Sequence, residues 1–144
     1  MNAGKKSPSI ISFVKRVDKP WGYEIHFVPE YQPYMGKLLH IEAGKRLSLQ
    51  YHDQKTESWW LVKGRGKVIW DNPEGELIET ELELGKGYTT AIGQRHRLAG
   101  ITDCDILEVS TPEIGTTYRL EDDYNRPDET EEIRKSKDRG WKKS

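Results

Sequence analysis

One run of alternating side chains constrains this chain more than any other feature. Between Gly44 and Gly66, Arg46, Ser48, Gln50 and His52 alternate with Leu47, Leu49 and Tyr51. Successive residues of a strand point to opposite faces. The pattern therefore predicts a strand over 46–52 with a polar and an apolar face, a short loop, and a second strand over 57–63. Gln50 and His52, two positions apart, project from the polar face toward one point. Glu57 opens the next strand and folds back beside them, and His96 offers a further imidazole far downstream. Two imidazoles, a carboxylate and an amide oxygen form a donor set suited to a borderline divalent cation such as Mn, Fe, Co, Ni or Zn.

The rest of the chain repeats the short-strand pattern. Strands are predicted near 10–17, 24–28, 37–42, 67–70, 76–83, 88–92, 95–99 and 105–110. Between them lie turn signals: Lys19-Pro20-Trp21-Gly22, Pro29 to Pro33, Ala43-Gly44, Asp71 to Gly75 and Gly85-Lys86-Gly87. Many short strands at a spacing of roughly 8–12 residues predict an all-β sandwich or barrel. Trp59, Trp60, Leu61 and Val62 put large apolar groups on both faces of one strand, which predicts burial on both sides, centrally or at a subunit contact. Trp59 shares the parity of Glu57 and is expected to floor a pocket, and Trp60 to face the opposite layer. Residues 1–9 read as a polar, disordered start. From Asp128 onward almost every residue is charged, the pattern of a solvated tail with at most a short helix supported by Glu-to-Arg/Lys spacing.

Several function classes fall away on composition. The chain has 144 residues, room for one domain with a modest core. Its formal net charge of −1 creates no field that favours nucleic acid or an anionic membrane. No apolar run approaches ~20 residues and no secretory signal is visible. The single cysteine, Cys104, rules out an internal disulfide framework and sits in an apolar run, as a buried strand thiol does. A cytoplasmic protein is the expectation.

The motif Gly44-x5-Gln50-x-His52-x4-Glu57-x6-Gly64 resembles the first cupin motif, with Gln in place of a common His, and Gly87-x8-His96 resembles the second. A closer resemblance is to the cupin domain of type II mannose-6-phosphate isomerases, where that domain follows a guanylyltransferase. Three stretches carry it: Lys19-Pro20-Trp21-Gly22 with Glu24; Leu47 to His52; and His96-Arg97-Leu98 with Arg119 to Arg126. The chain departs from the family at His52-Asp53-Gln54-Lys55-Thr56-Glu57, where His-His-His-Arg-x-Glu is common. Lys in place of Arg at a phosphate contact loses bidentate geometry. The linker between Thr111 and Tyr118 also looks shorter than usual. No guanylyltransferase sequence accompanies these residues, so nucleotidyl transfer is not expected of them.

The resemblance implies a double-stranded β-helix, or jelly-roll barrel, over 19–126, preceded by an arm and edge strand at 1–18 and followed by a charged tail at 127–144. It implies one divalent metal held by Gln50, His52, Glu57 and His96, and a metal-dependent sugar-phosphate isomerase converting mannose 6-phosphate to fructose 6-phosphate. Such chemistry needs carbonyl polarisation, proton transfer between adjacent carbons and a grip on phosphate. Catalysis is assigned to Glu57 and His96, with Lys37 a candidate for proton transfer or substrate contact against the plain alternative of a lysine on an exposed face. Phosphate candidates are Arg46, Lys55, Arg97, Arg119 and Arg126. Arg46 shares the ligands' parity and is expected to face the mouth, whereas Arg97 has the parity opposite to His96. Arg119 and Arg126 serve equally well as ion-pair partners of Glu121, Asp122 or Asp123. Two other readings stay open: a different metal-dependent cupin reaction, such as dioxygenase-type oxidation or cleavage of a small molecule, and a non-catalytic sugar-binding cupin. A homodimer is expected, because a small barrel must cover its strand edges.

Overall fold

In a computed structural model, residues 11–136, 139 and 141 are described. Eleven strands and one short helix follow in order: β1 Lys15–Lys19, β2 Gly22–His26, β3 Met35–Ile41, β4 Leu49–His52, β5 Glu57–Lys63, β6 Gly66–Asp71, β7 Leu77–Glu81, β8 Gly87–Thr89, β9 His96–Gly100, β10 Cys104–Ser110, β11 Thr117–Glu121 and α1 Glu131–Lys135. They form two antiparallel sheets, ordered β1-β2-β3-β10-β5-β8 and β11-β4-β9-β6-β7. The all-β jelly roll expected from the short-strand pattern is the fold observed.

The inward faces of the two sheets meet in a core. β5 contributes Trp59 and Leu61, β3 Leu39 and Ile41, β10 Cys104 and Ile106, and the second sheet Val68 and Leu98. The three pairs on β5, β3 and β10 are at alternate positions, the period of a sheet with one buried face. Cys104 is buried as expected, and burial, followed by Asp105 and Asp103, pushes its thiol up to about 11.

Some expectations need correction. Trp60 and Val62 are 47% and 51% exposed, so β5 buries only one face within the chain. The apolar doublet is explained by an outer face that the single chain leaves open. The first strand begins at Lys15 rather than residue 10, and the expectation for 1–9 lies outside the described residues. β11 was not anticipated: Thr117–Glu121 mixes polar and apolar residues without clear alternation, yet it pairs with β4. Within the charged segment after residue 126, Glu129 bridges to Thr117 through two backbone hydrogen bonds of 2.9 Å, and Thr130 caps α1 by accepting from the Ile133 amide at 3.2 Å. Glu129 and Arg139 are buried.

Candidate metal centre and its charged cavity

The barrel mouth assembles from strands far apart in sequence. Gln50 on β4 lies directly opposite His96 on β9, and His52 ends the same strand. The loop before β9 is locked to both neighbours. The Gly93 amide donates to the His52 carbonyl at 2.9 Å, and Arg95 grips Asp71 with its Nη2 at 2.7 Å. Gly93 has φ +81°, a left-handed conformation that glycine adopts without strain. These bonds set the imidazole of His96 beside that of His52, with ring centroids 5.0 Å apart.

His52, Glu57 and His96 are all buried, and one ligand atom from each lies within 4.8 Å of the others. The Glu57 Oε1 is 2.8 Å from His96 Nε2 and 3.4 Å from His52 Nε2. The inner nitrogens are already engaged: His96 Nδ1 donates to the Gln94 carbonyl at 2.9 Å, and His52 Nδ1 meets the Thr117 hydroxyl at 2.8 Å. Both Nε2 atoms are buried and face the Glu57 carboxylate without a well-aligned hydrogen bond, their ring protons being engaged at Nδ1. A buried unpaired nitrogen is costly, and two that converge on one carboxylate fit a bound cation. An outer-nitrogen lone pair set by a bond at the inner nitrogen is the arrangement of a metal-bound histidine. Burial lowers the His52 pKa against the opposing effect of Glu57, favouring the neutral ligand form. Burial pushes Glu57 up, but Lys55, His52 and His96 outweigh it and hold the carboxyl well below its ordinary range. Gln50 lines the same cavity, and its Oε1 accepts from Ser48 at 2.7 Å.

The cavity is about 50 Å³ and opens to solvent. It is narrow because six basic and five acidic side chains reach into it from both sheets and the tail. Lys37 is buried, not on an exposed face: its position on β3 alternates with Leu38, and its Nζ pairs with Glu113 and lies 3.4 Å from Glu24. Burial works against its charge, but Glu113 and Glu24 prevail and raise its pKa, so the ammonium persists. Lys55 lies 3.5 Å from Glu57 and 3.7 Å from Glu108. Glu108 also accepts from the indole of Trp59 at 3.2 Å, and burial followed by the charge of Glu57 raises its carboxyl to about 8. Trp59 does not line the cavity; it packs in the core with its ring tilted against His96, centroids 5.5 Å apart.

Two phosphate candidates are not in the cavity. Arg46 pairs with Ala99 whereas Gln50 pairs with His96, so four steps along one strand match three along the other. One extra residue is a bulge, and it reverses the parity of everything before it. Leu47 consequently lines the cavity, and Arg46 turns out to grip Asp123 at 2.8 and 2.9 Å. Arg97 keeps the parity opposite to His96, and its Nε donates to the Leu47 carbonyl at 3.0 Å. Arg119 and Arg126 do line the cavity. Arg126 is held by Asp122 at 2.9 and 3.0 Å, the ion pair anticipated as one of its two roles. Arg119 donates to Ser48 at 3.3 Å and to the Pro127 carbonyl.

Lys19, Glu24, Glu108, Glu113, Glu129 and Arg139 went unassigned in the sequence, yet all line the cavity. A signal existed for three of them. Lys19 shares the inward parity of Val17, Glu24 that of His26, and Glu108 that of Cys104 and Ile106. A charged residue at an inward strand position is an exception that points to a site.

A small antiparallel β-helix with a His/Glu/His cluster in its mouth defines the cupin class. The family profile for the mannose-6-phosphate isomerase C-terminal domain matches residues 7–129, and the chain belongs to that family. Alginate biosynthesis protein AlgA of Pseudomonas aeruginosa is 31% identical over 115 residues, 76% of this chain; the chain spans only 23% of AlgA. Among solved structures, an oxalate decarboxylase from Lactobacillus farciminis in complex with formate superposes with a TM-score of 0.66 at 17% identity, over 81% of this chain and 38% of that one. The capsular polysaccharide assembling protein CapF of Staphylococcus aureus gives 0.61 at 19% identity, over 75% and 34%. Both show the same fold. Among the described residues no helix is long and apolar enough to cross a membrane.

Proposed function

We propose that this domain is a metal-dependent sugar-phosphate isomerase interconverting mannose 6-phosphate and fructose 6-phosphate. The observation that carries the reading is the pair of partnerless Nε2 atoms of His52 and His96 converging on Glu57 inside a charged cavity. Membership of the isomerase family and the likeness to AlgA favour this substrate over other small molecules.

His52, Glu57 and His96 would hold the metal, with the Gln50 amide oxygen completing the set. When bound, a divalent transition metal supplies Lewis-acid polarisation of the substrate carbonyl. The protein's own groups do the rest. Lys37, kept charged by Glu24 and Glu113, donates to a substrate oxygen. Glu108, beside Glu57 and Lys55, is the carboxyl placed to take a proton from one carbon and return it to its neighbour. Lys55 balances both carboxylates. The protein is read as cytoplasmic and homodimeric, the latter from the exposed outer face of β5.

The test is a proton NMR time course in deuterated water with mannose 6-phosphate and protein loaded separately with Mn, Fe, Co, Ni or Zn. Fructose 6-phosphate should appear with one or more metals. Glu57→Ala and His96→Ala should lose both metal, by elemental analysis, and turnover. Full activity in both metal-depleted variants overturns the reading.

A further inference from the structure

Four of the six basic side chains in the cavity are neutralised by carboxylates. Lys37 has Glu24 and Glu113, Lys55 has Glu57 and Glu108, Arg126 has Asp122, and Arg139 has Glu113 at 2.9 Å. Lys19 and Arg119 differ: neither has a carboxylate oxygen within 4.0 Å among the described residues. Lys19 is only 9% exposed. It ends β1 with its side chain turned inward, and the Pro20-Trp21 turn folds Trp21 into the same cavity. Its Nζ makes no hydrogen bond among the described residues, and burial lowers its pKa despite Glu24 and Glu129. Arg119 uses Nε on Ser48 and Nη1 on the Pro127 carbonyl, leaving Nη2 without a partner among the described residues. Burial lowers its pKa as well. Lys19 enters the cavity from the first sheet and Arg119 from the second, and both line it.

A buried ammonium with no carboxylate in direct ion-pair contact is expensive, and an incoming anion offsets that cost. A guanidinium with one open nitrogen and an ammonium lining the same cavity provide a directional donor and a point charge, both suited to a tetrahedral oxyanion. We propose that Lys19 and Arg119 together form the oxyanion subsite of this cavity, taking the phosphate monoester of the substrate. This deepens the isomerase reading and rests on it for the identity of the ester. Lys19, the last residue of β1, is a binding residue that the phosphate candidates of the sequence did not include. Ser48 and the Pro127 carbonyl hold the Arg119 fork in place.

The test uses the full chain with inorganic phosphate and mannose 6-phosphate as calorimetric probes. Wild type should bind both. Lys19→Met and Arg119→Met, which keep side-chain bulk, should each weaken both by about tenfold or more, as expected for losing a charge-assisted hydrogen bond. Lys19→Arg and Arg119→Lys should recover part of the loss, with metal content equal across the set. Independently of folding in any variant, phosphate titrated into wild type should shift the side-chain ¹⁵N signals of Lys19 and Arg119. Equal affinity in wild type and both Met variants, no phosphate binding by wild type, or binding without either ¹⁵N shift overturns the subsite. The two readings fail separately. Turnover with an unchanged KM in both Met variants leaves the isomerase and removes the subsite. Phosphate binding that is lost in the variants, with no turnover under any metal, keeps the subsite and removes the isomerase.

Discussion

The outer nitrogens of His52 and His96 are available because their inner nitrogens are already engaged, one by Thr117 and one by the Gln94 carbonyl. That division of labour is legible only in part from sequence. The candidate ligand residues follow from strand alternation and chemical type, whereas Thr117 comes from a strand that alternation did not reveal. Charge compensation follows the same rule. Burial alone would raise the Glu113 carboxyl, but Lys37, Lys55 and Arg139 overcome it and hold it well below its ordinary value of 4.5. A carboxyl depressed in the folded state contributes stability that is present above its unfolded pKa and lost as pH falls toward the folded one. The thermal midpoint should therefore fall on acidification from about pH 5 to about pH 3. Glu113→Gln should flatten that slope and, by leaving Lys37 and Arg139 short of a partner, cost about 3–5 kcal/mol near neutral pH. Melting curves of both proteins across that range check this.

At the scale of elements, small irregularities decide what reaches the cavity. The bulge before β4 swaps Arg46 for Leu47, and no feature of the alternating sequence marks where a strand gains a residue. The link between β5 and β6 is a case where sequence does signal geometry. Gly64 has φ +77°, and a Cβ there would lie 2.1 Å from the Asp103 carbonyl oxygen and 2.9 Å from the Cys104 Cα. Only glycine fits, because both the conformation and the neighbouring backbone exclude a side chain. Gly64→Ala should destabilise by more than about 2 kcal/mol, since the left-handed conformation alone costs about 1–2 kcal/mol. Urea denaturation gives the value directly. A loss under about 0.5 kcal/mol, the range of a neutral surface change, would contradict this account of the link.

For the whole molecule, the outer face of the larger sheet stands out. Trp60, Leu107, Leu38 and Ile25 sit opposite one another across four neighbouring strands, forming one row. Val109 beside them is 52% exposed. Trp60 is exposed and the other three are partly buried; an apolar patch left open on a sheet face is commonly covered by a partner, which favours the homodimer read from the aromatic doublet. Light scattering at micromolar concentration should give twice the chain mass for wild type and a monomer for Trp60→Glu. A wild-type monomer refutes the dimer.

Fold class, the short-strand rhythm, the turn at Lys19–Gly22 and the imidazole and carboxylate groups of the candidate metal cluster were determined by the sequence itself. Each depends on local periodicity, backbone conformational preference or donor chemistry, which a few adjacent residues specify. Tertiary structure alone decided which charges meet. The burial of Lys37, the outward turn of Arg46, the entry of Glu108, Glu113, Glu129 and Arg139, and the lack of a direct ion pair at Lys19 and Arg119 among the described residues depend on register and on segments as much as 76 and 77 residues apart. Electrostatic compensation is a property of positions in space, and neighbouring positions in a barrel come from distant parts of the chain.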